Sequence, residues 1–216
     1  MSNDRTDGKK RITLARSASA EYEEKRSVFI GHACPIRCED DARAFIETKK
    51  KEYHDARHNC YAYMLDGGVL ARYSDDSEPQ GTAGIPILNV IKMSGATDMC
   101  VVVTRYFGGI LLGTGGLVRA YTAAAKAAVD ASGFAVFEDY EIYSIDVTYS
   151  DYQKISVMLP KLGAVEDSAD FTDGVTVHAA VRAGLGDELK RAVAEQTFGK
   201  GRVTFERIEE RSAPAL

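Results

Sequence analysis

The segment RYFGGILLGTGGLVRAY, residues 105–121, carries the densest chemical signal in the sequence. An apolar run ends at Arg105. A stretch containing Gly108, Gly109, Gly113, Gly115 and Gly116 then leads into a helical pattern. Glycine admits positive φ and lets a ligand approach the main chain closely. The first N–H groups of a helix lack internal partners and, helped by the dipole, attract anions. Arg119 falls in the first turns of that helix, with Thr122 and Lys126 on the same side. The segment therefore reads as a phosphate or phosphodiester cradle. It reads equally as a tight strand-to-helix connection whose glycines serve packing. No Gly-Lys-Ser/Thr follows, so it is not a Walker loop. Val118 stands where a dinucleotide fingerprint needs its third glycine.

A second cluster is SDDSEPQGTAGIP, residues 74–86, with carboxylates at Asp75, Asp76 and Glu78. Such a loop could hold a divalent cation or present a base. The favoured reading is structural: Asp75 and Asp76 build turns and satisfy backbone donors, and Thr82 caps the next helix. In DARHNC, residues 55–60, Arg57 and His58 precede a strand and follow Lys49-Lys50-Lys51. Cations there suit phosphate contacts, or complement the end of a helix. His58 reads as a surface or hydrogen-bonding group rather than a catalytic one. Cys34, Cys38, Cys60 and Cys100 read as reduced thiols, because no paired CxxC or HxxxH element accompanies them. No Gly-x-Ser-x-Gly elbow is present. No catalytic residue, metal or cofactor is assigned.

Two groups of elements must position these residues. In the first, residues 18–36 are strand-like with a bend at Arg26-Ser27, and 38–53 are helical. Residues 60–65 and 69–73 form a hairpin around Asp66-Gly67-Gly68, and 85–93 form a short helix. Residues 99–106 form an apolar strand. Residues 112–131 form a long helix burying Leu117, Tyr121, Ala124, Ala125 and Ala128. Beyond the Gly133 to Tyr140 break, alternation gives strand, helix, two strands around Thr172-Asp173-Gly174, helix and strand. Ser150 or Asp151 is expected to cap the first of these helices. That order, βαββαβ, is the split motif of a ferredoxin-like sandwich with both helices on one sheet face. The expected organisation is a disordered N-terminus at 1–14, a first domain at 15–138, a second at 139–209 and a tail at 210–216.

Net charge is −5, from 27 Lys+Arg and 32 Asp+Glu. It is uneven: residues 1–138 are neutral and residues 139–216 carry the whole excess. A generic basic nucleic-acid binder is excluded, so any RNA contact must use a local patch. The polar N-terminus offers no signal peptide, and no uncharged run exceeds the length of Tyr106 to Val118, which is too short and glycine-rich for a membrane span. A cytoplasmic protein without membrane partners is expected.

The motifs DDSEPQGTAGIPIL and VVVTRYFGGILLGTGGLVRAY, in that order and with DARHNC upstream, resemble the IMPACT/YigZ family. Arg105, Tyr106, Phe107, Gly108, Gly109, Gly113, Gly115 and Gly116 stand where its signature has them. The resemblance implies an α+β protein. Its first domain would have the fold of ribosomal protein S5 domain 2, and its second would be ferredoxin-like, similar to elongation factor G domain V. It also implies a translation-associated, non-enzymatic role, with RNA, the ribosome or a translation factor as partner. The expected RNA face combines Arg57, His58, Arg105, Tyr106, the five glycines and Arg119, with Tyr106 or Phe107 free to stack on bases. Two rival readings are a phosphate-ester or nucleotide enzyme using the glycine and acidic loops, and a protein-interaction regulator docking through the acidic second domain.

Overall fold

The computed structural model describes residues 10–212, which divide into two compact units, Arg11–Ala135 and a second running from Val136. In the first unit the elements run β1 (Arg11–Leu14), β2 (Ala18–Glu24), β3 (Ser27–Pro35), α1 (Glu39–Glu52), β4 (His58–Leu65), β5 (Leu70–Ser74), α2 (Gly84–Met93), β6 (Met99–Tyr106) and α3 (Gly113–Ser132). Five of them form an antiparallel sheet in the order β2-β3-β6-β4-β5. Successive side chains of a strand point to opposite faces, so β6 alternates between two cores. Val101 and Val103 pack with Ile87, Leu117 and Tyr121 under α2 and α3. Cys100 and Val102 pack with Ala42 and Ile46 of α1. Helices on both faces explain why MCVVVTRY is apolar almost throughout. The bend at Arg26-Ser27 is a tight hairpin turn, with Lys25 and Arg26 at φ of 47° and 67°.

The second unit runs β7 (Phe134–Val147), α4 (Tyr149–Met158), β8 (Val165–Phe171), β9 (Val175–Arg182), α5 (Gly186–Thr197) and β10 (Arg202–Ser212). Its strands pair antiparallel in the order β10-β7-β9-β8. Ile145, Val177 and Val181 meet Ile155 of α4 and Leu189 and Val193 of α5 in one core. This is the ferredoxin-like βαββαβ arrangement, and with the first unit it gives the α+β, S5 domain 2-like plus ferredoxin-like fold.

Three local expectations are corrected. The cap of α4 is Thr148, whose Oγ1 accepts from Asp151 N, because β7 ends one residue before it. β1 forms within the stretch expected to be unstructured, where Arg11 Nη1 bonds Asp98 Oδ2 at 2.8 Å and Thr13 Oγ1 donates to Asp98 O at 3.0 Å. Tertiary anchoring of a short strand leaves no local sequence signal. The remainder of that expectation, residues 1–9, lies outside the described residues. β10 continues through residues 210–212, part of the expected tail, by pairing with Phe137, Glu138 and Asp139. Among the described residues no helix is long and apolar enough to cross a membrane.

Candidate functional site

Register brings the motifs together at one end of the first sheet. His58, the first residue of β4, lies opposite Arg105 near the end of β6. Val28, just after the β2–β3 turn, lies opposite Tyr106. The Lys25-Arg26 turn, the entry to β4, the exit of β6 and the start of α3 therefore share one end.

Beneath that end is a closed polar cluster. The Arg105 guanidinium donates to Glu78 Oε1 at 2.6 Å, and the Tyr121 hydroxyl donates to the same oxygen at 2.8 Å. His58 Nε2 lies 3.8 Å from it. His58 Nδ1 bonds Asp76 O at 2.8 Å; a carbonyl only accepts, so Nδ1 carries the proton. Burial pushes the Tyr121 hydroxyl and the Cys60 thiol well up, so both stay neutral donors. Arg105 also lies over the Phe29 ring, 5.4 Å from its centroid.

Sequence reasoning expected Arg105 and His58 on an open binding face. Both are buried, at 7% and 8% exposure, as is Glu78 at 8%. A guanidinium taken out of water needs a charged partner, and Glu78 supplies it. Tyr121 was legible as a core residue, but its hydroxyl's role was not. A lone tyrosine on the alanine face of α3 was the available signal.

The acidic loop is also spent internally. The Asp75 carboxylate accepts from the backbone N–H groups of Gly81, Ala83 and Gly84 at 2.8, 3.0 and 2.8 Å. It thereby caps α2 from a distance. Thr82 does not cap α2: its Oγ1 donates back to Pro79 O at 2.6 Å, and the cap position falls on Ala83. Asp76 Oδ2 accepts from Asn59 N at 2.6 Å. The three carboxylates serve three separate tasks, and no group of three His, Cys, Asp or Glu among the described residues is placed to hold a metal ion.

The glycine motif divides in two. Gly108 packs: a Cβ there would lie 2.0 Å from the Arg26 carbonyl carbon. Gly116 is buried in α3, with the Leu112 side chain against it. Gly109, Gly113 and Gly115 are exposed, and the first two have φ of 85° and 70°. The exposed glycines lie around the first turn of α3, where backbone N–H groups have no intrahelical partner. Phe107 is 47% exposed, with Ile110 and Leu111 also in solvent. Tyr106 is half-buried. Its hydroxyl donates to Asp55 Oδ1 at 2.8 Å, which raises its pKa to about 12. Arg57 and Arg119 are exposed, as are Lys25 and Arg26, of which sequence reasoning read only Arg26, as part of a bend. None of these four side chains has an ion-pair partner among the described residues.

The Impact N-terminal domain family matches residues 25–129, and DUF1949, a domain of unknown function, matches residues 145–200. The Bacillus subtilis IMPACT family member YvyE is 32% identical over 190 residues, 88% of each chain. The Escherichia coli IMPACT family member YigZ is 33% identical over 191 residues, 87% of this chain and 93% of its own. A crystal structure of a hypothetical protein, 30% identical, is similar with a TM-score of 0.60, covering 92% of this chain and 98% of that one.

Proposed function

The chain belongs to the IMPACT family, and from that premise we propose that it is a non-enzymatic regulator of translation that binds RNA on the ribosome. The translation role rests on the family resemblance. The RNA role rests on one observation: Lys25, Arg26, Arg57 and Arg119 are exposed cations without ion-pair partners among the described residues, at the end of the sheet that carries exposed Phe107 and the open glycine turn. This is the local patch that an otherwise neutral first half requires. Phosphates would be met by the guanidinium and ammonium groups and by the free N–H groups of α3, and an unstacked base by the Phe107 ring. The enzyme reading loses its support because Asp75, Asp76 and Glu78 each have an internal task.

The test is co-sedimentation of the full chain with purified ribosomes over a range of salt. Binding at low salt that weakens steadily as salt rises is expected, since each phosphate contact contributes roughly 0.7 to 0.9 to the log–log slope. Absence from the ribosomal pellet at every salt concentration would overturn the RNA reading and move weight to a protein partner.

A further inference from the structure

The β3–β6 ladder holds a thiol pair at the end opposite the glycine turn. Cys34 lies directly across from Cys100. Both point to the α1 face, since Cys100 packs in the α1 core while Ala33, the neighbour of Cys34, packs in the opposite one. The Ile36 N–H donates to Asp98 O at 2.9 Å. Antiparallel pairs alternate between hydrogen-bonded and non-hydrogen-bonded, so the 34/100 pair, two residues along, is a hydrogen-bonded one. Pro35, which has no N–H to donate, takes the intervening position opposite Met99.

In such a pair the Cα atoms stand about 5.5 Å apart, inside the ~4.4–6.8 Å that a disulfide spans. The Cβ atoms stand about 5 Å apart, wider than the ~3.8 Å a relaxed disulfide prefers. Closing the bond must draw the two strands together, which makes it strained and easily reduced. We propose that Cys34 and Cys100 form a reversible cystine site, closed by a peroxide-class oxidant and reopened by thiols.

The two sulfurs have different access. Cys100 is fully buried, and burial holds its thiol well above the usual value. Cys34 is half-buried, and the hydroxyl of exposed Ser17 donates to its sulfur at 3.2 Å. Cys34 is therefore the sulfur that meets oxidant. Its thiolate attacks a peroxide oxygen and the O–O bond breaks, giving a sulfenic acid and, from hydrogen peroxide, water. The Cys100 sulfur, losing its proton, attacks Cys34 Sγ. The S–O bond breaks, a second water leaves and the S–S bond forms. Two thiols have lost two electrons and two protons, and the peroxide has gained them. Cys60 is not a competitor, because it lies in the core on the other face of the sheet. Cys38, exposed just before α1, is the competitor.

The experiment treats the full chain and its Cys38→Ser and Cys34→Ser variants with hydrogen peroxide. Free thiols are then alkylated under denaturing conditions and peptides are mapped without reduction. Wild type and Cys38→Ser should each lose two alkylatable thiols and yield one linked peptide pair containing Cys34 and Cys100. Dithiothreitol should restore both thiols. Cys34→Ser should yield no such pair and keep Cys100 alkylatable. A Cys34–Cys38 link in the wild type, a sulfinic acid at Cys34 with Cys100 still free, or no change at Cys34 would each overturn the proposal.

Discussion

Arg105 and Arg119 belong to one motif and meet opposite environments. Arg105 leaves β6 into a buried cluster, where Glu78 neutralises it and Tyr121 and His58 surround the same carboxylate. Arg119 stands exposed on α3 beside the open glycine turn, with no ion-pair partner among the described residues. The same chemical group is a component of the fold in one place and an exposed, unpaired cation in the other. Burial and partner supply separate the two uses, and residue type does not. The acidic loop belongs with Arg105 and the Lys25-Arg26 turn with Arg119.

The largest effect that would break this contrast is on the closed side. Glu78→Ala leaves the Arg105 charge buried and unpaired, at an expected cost of about 3–5 kcal/mol in unfolding free energy by denaturant titration. A loss below about 1 kcal/mol, the range of an exposed pair, would mean that the cluster is not closed.

Acid sharpens the same point at a second buried group. His32 is fully buried, its ring centroid 4.9 Å from that of Tyr53 and tilted 36° to it, and it is bonded through Nδ1 to Ser19 Oγ at 2.8 Å. Burial, with Lys49 nearby, lowers its pKa from the usual 6.5 to about 4. As pH falls the unfolded chain therefore takes the proton first. Stability from neutral His32 is complete above about 6.5 and is lost progressively toward about 4. The expected loss is about 3 kcal/mol, and His32→Gln should flatten that part of the pH–stability curve. An unchanged slope in the variant would show that the ring is protonated in place.

A smaller effect belongs to Asp75. Asp75→Ala removes the acceptor for three N–H groups at the start of α2 and should cost about 1–2 kcal/mol by thermal or denaturant melting, as a lost helix cap does. Asp75→Asn should recover part of it. Equal losses for the two substitutions would locate the contribution in charge rather than in hydrogen bonding.

The ferredoxin-like order was legible because period-two alternation and turn residues mark each of its elements. β6 and α3 were legible for the same kind of reason, an unbroken apolar run and an alanine-rich helical stripe. The cluster was not legible. Its members come from β4, the acidic loop, β6 and α3, and only the His58–Arg105 register shows that they converge. From spacing alone, Arg105 at the end of an apolar strand looks as available as Arg119. The packing duty of Gly108 was equally hidden, since the Arg26 backbone it meets is far away in sequence. A bend was visible at Arg26-Ser27, one residue beyond the Lys25-Arg26 turn, and only pairing of β3 with β6 places that turn beside the glycines.

The central claim is that Arg119, and not Arg105, is the arginine offered to phosphate. A salt titration of RNA affinity for the wild type and Arg119→Ala, using ribosomal RNA and with melting as a control, tests it most directly. Arg119 lies outside the buried stripe of Leu117, Tyr121, Ala124 and Ala128, so melting should change by no more than about 0.5 kcal/mol. The log–log salt slope should become shallower by roughly 0.7 to 0.9, one phosphate contact. An unchanged slope with unchanged melting would contradict the account and remove Arg119 from the binding face.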